Sequence, residues 1–205
     1  MKSIHILVFD GFADWEPAHA LAELRRTGGY AVWSVGFTED PVLSMGGLRV
    51  TPNGALHSVS PADAALFILP GGDMWEKESA YPRAELEALL HKLVAANVPI
   101  AAICGATIAV ARAGLLDTRS HTSNAPEYLT QHAAGYLGRD RYDASLAVRD
   151  TGVITASGLG SVDFAREIFE ELGVFPAKVR PIWYDAFKYG TLPQAQKSPQ
   201  PAGSA

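Results

Sequence analysis

The chain has 205 residues, 48% hydrophobic and 19% charged, with a formal net charge of −5, which suits one soluble globular domain with a full core. The acidic balance and the lack of a basic stripe argue against nucleic acid as a partner, and no apolar run approaches the roughly 20 residues that span a membrane. The single cysteine excludes an internal disulfide framework and fits a reducing, cytoplasmic setting.

Met1 to Ile6 runs straight into a strand pattern with no signal peptide. The pattern predicts a buried strand over Ile4 to Phe9, then a turn at Asp10-Gly11-Phe12. Asp14-Trp15-Glu16-Pro17 opens a predicted helix running to about Thr27, with Asp14 as its N-cap and Gly28-Gly29 as its end. A second strand covers Tyr30 to Gly36. Leu43 to Val50 reads as a hairpin around Gly46-Gly47. Ala64 to Leu69 is a third core strand, closed by Pro70-Gly71-Gly72. Pro82 to Ala96 is an amphipathic helix with Leu86, Leu89, Leu90 and Leu93 on one face. Ile100 to Ile103 is a strand buried on both faces, and Ala106 to Ala113 an alanine-rich helix.

Beyond Gly114, a short strand is expected over Ser120 to Ser123 and a short helix over Pro126 to His132, with loop from Gly135 to Arg141. Ala144 to Arg149 and Val153 to Ala156 form a hairpin around Asp150-Thr151-Gly152. Ser157 to Ser161 turns into a helix over Val162 to Leu172, capped by Ser161, and Pro181 to Tyr189 gives a last helix. Residues 1–190 therefore read as one domain, and the Pro/Gln/Ser/Ala-rich residues 191–205 as a disordered tail. Alternating strands and helices make an α/β fold, with a mostly parallel sheet and helices on both faces. Sites in such sheets form beyond the carboxyl ends of the strands. That rule selects Asp10 to Glu16, Pro70 to Trp75, Cys104-Gly105 and Ser157 to Ser161.

Only Cys104 and Gly105 separate the strand ending at Ile103 from the helix beginning at Ala106. A strand that becomes a helix without a loop must turn sharply. The residue at the corner is strained and its side chain is lifted above the sheet, the geometry of a nucleophile elbow. A helix N-terminus beneath the sulfur favours thiolate over thiol. A lone cysteine is otherwise a small buried hydrophobe, so this context is what marks it. Glu16 is a carboxyl near the same sheet edge, where a helix N-terminus alone would also favour it. The N–H groups of Gly72 and Gly105 form a natural oxyanion-hole pair. His121 is a candidate base, but alternation on a short strand leaves its direction open. Trp15 and Trp75 flank the candidate loops as pocket walls or packing residues. Gly158-Leu159-Gly160 reads as a plain turn. No phosphate-loop motif and no Cys/His cluster appears, so no metal or organic cofactor is expected.

Ala101 to Ala106, together with Ile68-Leu69-Pro70-Gly71-Gly72-Asp73 and Phe9 to Glu16, resembles the superfamily of PfpI-type intracellular cysteine peptidases and the Parkinsonism-associated deglycase. Its wider group includes class I glutamine amidotransferase-like domains. The resemblance implies a flavodoxin-like three-layer sandwich and a homodimer, with Cys104 as nucleophile, Glu16 as the carboxyl bonded to its sulfur, and Gly72 and Gly105 as the oxyanion hole. Arg49 matches an arginine near the dimer interface of some members. The departures are specific. Peptidase-like members carry histidine directly after the cysteine, where this chain has Gly105. Other members carry one about 20 residues later, where this chain has Asn124, which cannot take a proton at neutral pH. What remains is a cysteine-dependent hydrolase, amidase or lyase acting on a small carbonyl, amide or nitrile-like substrate, with Glu16 shuttling the proton. The alternative is a non-catalytic redox-sensing or stress-protective protein in which Cys104 is a low-pKa thiol open to oxidation. An intracellular peptidase fits less well, as does an amidotransferase half, which would need a His/Glu dyad.

Overall fold

The computed structural model describes residues 2–191. In chain order its strands are β1 (Ser3–Leu7), β2 (Ala31–Gly36), β3 (Val42–Leu43), β4 (Arg49–Val50), β5 (Gly54–Ala55), β6 (Ala64–Leu69), β7 (Ile100–Ile103), β8 (Ala147–Asp150) and β9 (Val153–Ala156). The helices are α1 (Ala18–Arg26), α2 (Arg83–Ala95), α3 (Ala106–Arg112), α4 (Pro126–His132), α5 (Ser161–Leu172) and α6 (Arg180–Tyr189). Short 3₁₀ turns cover Asp73–Glu76 and Arg139–Arg141. The predicted tail falls outside the described residues, apart from Thr191.

Seven strands form one sheet in the order β5-β2-β1-β6-β7-β9-β8. All neighbours are parallel except β8 and β9. Counting the long parallel strands only, this is the flavodoxin-like order, whose ligands sit beyond the carboxyl ends of the strands. The sequence says why the centre is parallel: β1, β6 and β7 are buried along their whole length, so each needs helices on both faces. Helix α1 packs on α5, and α2 on α3. The expected hairpin is present as β3 and β4, with Val42 opposite Val50 and Leu43 opposite Arg49.

Local expectations are corrected in several places. Helix α1 starts at Ala18, so Glu16 precedes the helix instead of sitting on its first turn, and Asp14 does not cap it. The Asp14 carboxylate accepts hydrogen bonds from Ser44 Oγ and from the Gly46 N–H, which fastens the β3–β4 loop beside the end of β1. A carboxylate that finds N–H and O–H donors across a loop has no need of the helix end. Ser161 is the first residue of α5 and Gly160 its cap, without a side-chain hydrogen bond. Ser120 to Ser123 is not a strand. It makes one bridge, His121 to Tyr142, and is otherwise held by side chains: Thr155 Oγ1 accepts from the Thr122 N–H at 2.8 Å, and Tyr142 donates to the Ser123 carbonyl at 3.0 Å.

Trp75 is fully buried. Its ring meets Phe9 edge-on at 5.3 Å and Tyr81 at 5.0 Å between centroids. Behind it the Arg112 guanidinium donates to the Trp75 carbonyl and the Tyr81 hydroxyl, both at 2.9 Å, and to the His132 carbonyl. One buried cation thus ties the end of α3 to the Asp73–Glu76 turn and to α4. Replacing Arg112 by Met leaves those carbonyls buried without donors, at about 1–3 kcal/mol each. Urea unfolding of R112M should therefore show a loss of roughly 2–5 kcal/mol; a loss within 0.5 kcal/mol would mean that Arg112 does not hold this junction.

Candidate active site

The corner between β7 and α3 has the predicted conformation. Cys104 lies at φ +58°, in the left-handed region that non-glycine residues seldom occupy. Its N–H still donates to the Ala156 carbonyl of β9 at 2.9 Å, extending the sheet by one bond. Its carbonyl accepts from Thr107 Oγ1 at 2.7 Å and from the Thr107 N–H at 3.2 Å. A residue pinned at both backbone ends can persist in a costly conformation.

Glu16 is buried, with 1% of its surface exposed. Its Oε2 accepts the Gly71 N–H at 2.6 Å, and its carboxyl lies close enough to Cys104 for each group to shift the other's ionisation. From the other side Asn124 Nδ2 donates to the sulfur at 3.3 Å, while Asn124 Oδ1 accepts the Gly158 N–H at 2.9 Å. That second bond fixes which end of the amide faces the sulfur. Glycines wall the pair. A Cβ at Gly71 would lie 2.8 Å from Cys104 Cβ and 2.7 Å from Glu16 Oε2, and one at Gly158 would lie 3.0 Å from the sulfur. The Ser157 to Ser161 turn is therefore part of the site.

The thiol is not of the low-pKa kind that the helix N-terminus suggested. Burial, and then the charge of Glu16, push Cys104 up to about 11, against the smaller opposing pull of Asn124 and the Gly105 N–H. Helix α3 is a seven-residue helix, and its end effect does not overcome desolvation beside a carboxylate. Burial also raises Glu16, opposed by its bonds to Gly71 and Cys104. The pair is thus two neighbouring acids, each resisting ionisation while the other is charged.

A cavity of about 280 Å³ opens over the sulfur. Gly72 and Gly105 both line it, as do Trp15, Met45, Asp73, Glu76 and Tyr128. The Tyr128 hydroxyl donates to Glu76 Oε1 at 3.2 Å, and burial with the nearby negative charges raises its pKa. Several candidates lie elsewhere. His121 is fully buried and turned away, its Nδ1 against the Arg119 carbonyl at 2.7 Å and its Nε2 against the Tyr136 hydroxyl. Burial lowers its pKa, so it is a neutral core histidine. Trp75 packs behind Gly105, where a Cβ would meet its ring at 3.1 Å, and does not close over the cysteine. Arg49 is exposed on β4, outside the cavity lining. Sequence reading missed Tyr128, Glu76 and Met45. Only their neighbourhood to the selected loops could have pointed to them. Among the described residues, no group of His, Cys, Asp and Glu is arranged to hold a metal ion, and no helix is long and apolar enough to cross a membrane.

Residues 2–171 match the DJ-1/PfpI family. The chain belongs to this family. Its relative named uncharacterized protease YoaZ, from Bacillus subtilis, is 33% identical over 191 residues, covering 89% of each chain. Among solved structures, the DJ-1 superfamily protein Atu0886 from Agrobacterium tumefaciens is 34% identical with a TM-score of 0.84, over 92% of this chain and 100% of that one. The thiJ/pfpI family protein from Bacillus anthracis is 33% identical with a TM-score of 0.85, over 93% and 92%. Both the DJ-1/PfpI assignment and the flavodoxin-like fold agree with the resemblance carried by the motifs around Glu16, Gly72 and Cys104.

The geometry separates Asn124 from His121. Asn124→Ala removes a donor to the sulfur and should slow iodoacetamide alkylation of Cys104 at pH 8 by about 2- to 10-fold, the worth of one such bond. His121→Gln should leave the alkylation profile unchanged and lower the melting temperature. The reverse pattern would return His121 to the site.

Proposed function

We propose that this DJ-1/PfpI protein is a cysteine-dependent enzyme of the hydrolase, amidase or lyase type that acts on a small carbonyl, amide or nitrile-like substrate. The observation that carries this reading is the Cys104 thiol set beside the buried Glu16 carboxyl in a cavity of about 280 Å³ with no histidine in its lining. As the Cys104 sulfur bonds to the electrophilic carbon, the thiol proton passes to the Glu16 carboxylate. The π electron pair of the substrate moves onto its oxygen or nitrogen, where the Gly72 and Gly105 N–H groups stabilise the developing charge. Glu16, now an acid, returns the proton to the leaving group or to the collapsing intermediate.

A histidine is dispensable here because burial has changed the carboxylate. A raised Glu16 is a stronger base than an ordinary glutamate, closer to the pH at which it must work. The high thiol pKa means that free thiolate is scarce at neutral pH, so proton transfer accompanies attack. The same feature weighs against the redox-sensing alternative, since peroxide reacts with thiolate and scarcely with thiol. Proteolysis, suggested by the name of the YoaZ relative, fits less well, because a cavity of this volume suits a small molecule better than an extended peptide.

The test is a carbonyl, amide and nitrile screen followed by variants. Cys104→Ala should keep its fold and lose all turnover; activity surviving with a verified substrate would remove Cys104 as nucleophile. Glu16→Gln should lower kcat by at least about 100-fold. In the same variant, alkylation of Cys104 at pH 8 should become faster, because the charge opposing the thiolate is gone. Turnover unchanged in E16Q would remove Glu16 as the base.

A further inference from the structure

The cavity over Cys104 is one-sided in charge. Glu16 closes its floor and Asp73 and Glu76 stand on its wall, while no Lys, Arg or His lines it. Asp73 and Glu76 are exposed, and among the described residues neither is in an ion pair, although other surface carboxylates are, such as Glu78 with Arg83 and Glu127 with Arg139. Glu76 accepts a hydrogen bond from Tyr128, a neutral donor that orients the carboxylate without cancelling its charge. The same lining presents the Trp15 indole, half exposed, and the Tyr128 ring. Aromatic faces attract cations and are indifferent or repulsive to anions. A cleft lined by one sign of charge raises the local concentration of the opposite ion.

We propose that the site selects cationic substrates: small aldehydes, ketones or amides that carry an ammonium, amidinium or similar group, with 2-oxo acids and other carboxylates disfavoured. This rests on the reading of Cys104 as the nucleophile. The carbon to be attacked lies over the sulfur, and the positive group lies between Trp15 and the Asp73–Glu76 wall. An anionic substrate would meet these two carboxylates and, before the thiol proton is transferred, the Glu16 carboxylate as a third, with no cation to receive it.

Charge selection can be measured on Cys104 without knowing the substrate. The probes are methanethiosulfonates of similar size, one carrying a trimethylammonium group and one a sulfonate. In each, the Cys104 sulfur attacks the sulfenyl sulfur, an S–S bond forms, methanesulfinate leaves with the bonding pair, and the thiol proton goes to Glu16 or solvent. The ratio of cationic to anionic rates is divided by the same ratio for 2-mercaptoethanol. We expect a value of at least about 10 at low salt, falling toward 1 in about 1 M salt as screening shortens the reach of the charges. Asp73→Asn with Glu76→Gln should lower it at least threefold, although the chain keeps most of its net charge of −5. Both positions are exposed, so folding should survive; Trp15→Ala gives a second, uncharged perturbation and should lower the ratio too. A wild-type ratio near 1, or one that D73N/E76Q leaves unchanged, overturns the proposal. These outcomes are separate from failure of the catalytic reading, in which Cys104→Ala retains turnover whatever the ratio.

Discussion

A thiol and a carboxyl buried side by side cannot both ionise cheaply. Desolvation opposes each charge, and each charge opposes the other. In this protein Cys104 and Glu16 stand in that relation, and their surroundings are arranged to make it tolerable. Gly71 supplies one N–H to the carboxylate, and Asn124 supplies one to the sulfur. Gly71 and Gly158 have no side chains because none would fit against the pair. The site places its few donors on the charged forms of a two-acid system, as the proposed proton shuttle between them requires.

Holding that pair depends on contacts some distance away. Thr107 grips the Cys104 carbonyl and also meets Ser123 Oγ at 2.7 Å, so the corner and the segment carrying Asn124 are fixed by one hydroxyl. Arg112, at the far end of the same short helix, fastens the turn that carries Asp73 and Glu76. Asp14 fastens the hairpin loop that brings Met45 to the cavity. Loops at the carboxyl edge of a parallel sheet have no ladder of their own. Here buried polar side chains supply the order that strands would otherwise give.

Much of this was legible in the chain. The apolar runs of β1, β6 and β7 announced strands buried on both faces, and the missing loop between Ile103 and Ala106 announced a strained residue at Cys104. Those signals are local, set by sterics and periodicity. The start of α1 was misread because Asp14 carries a capping residue's chemistry but satisfies donors from the distant Ser44–Gly46 loop. The direction of His121 is not legible in the chain, because Tyr136 and Arg119 decide it on a segment without regular alternation. The raised thiol is not legible because a helix end is visible in sequence, while burial beside a carboxylate is not. Tyr128 and Glu76 were missed for the same reason, since each matters only through what it faces.

The sign of the Glu16 shift says something about why the residue is there. A carboxyl raised in the folded state holds its proton more tightly than in the unfolded chain. Its contribution to stability is full below the unfolded value and is lost as pH rises through the raised one. Around neutral pH an ionised Glu16 is therefore a cost to the fold, only partly offset by the Gly71 N–H and the Cys104 thiol. Cys104 adds a second cost through its left-handed backbone. Two unfavourable choices set side by side, at the edge of the sheet where ligands bind, are what the proposed reactive centre requires of the fold.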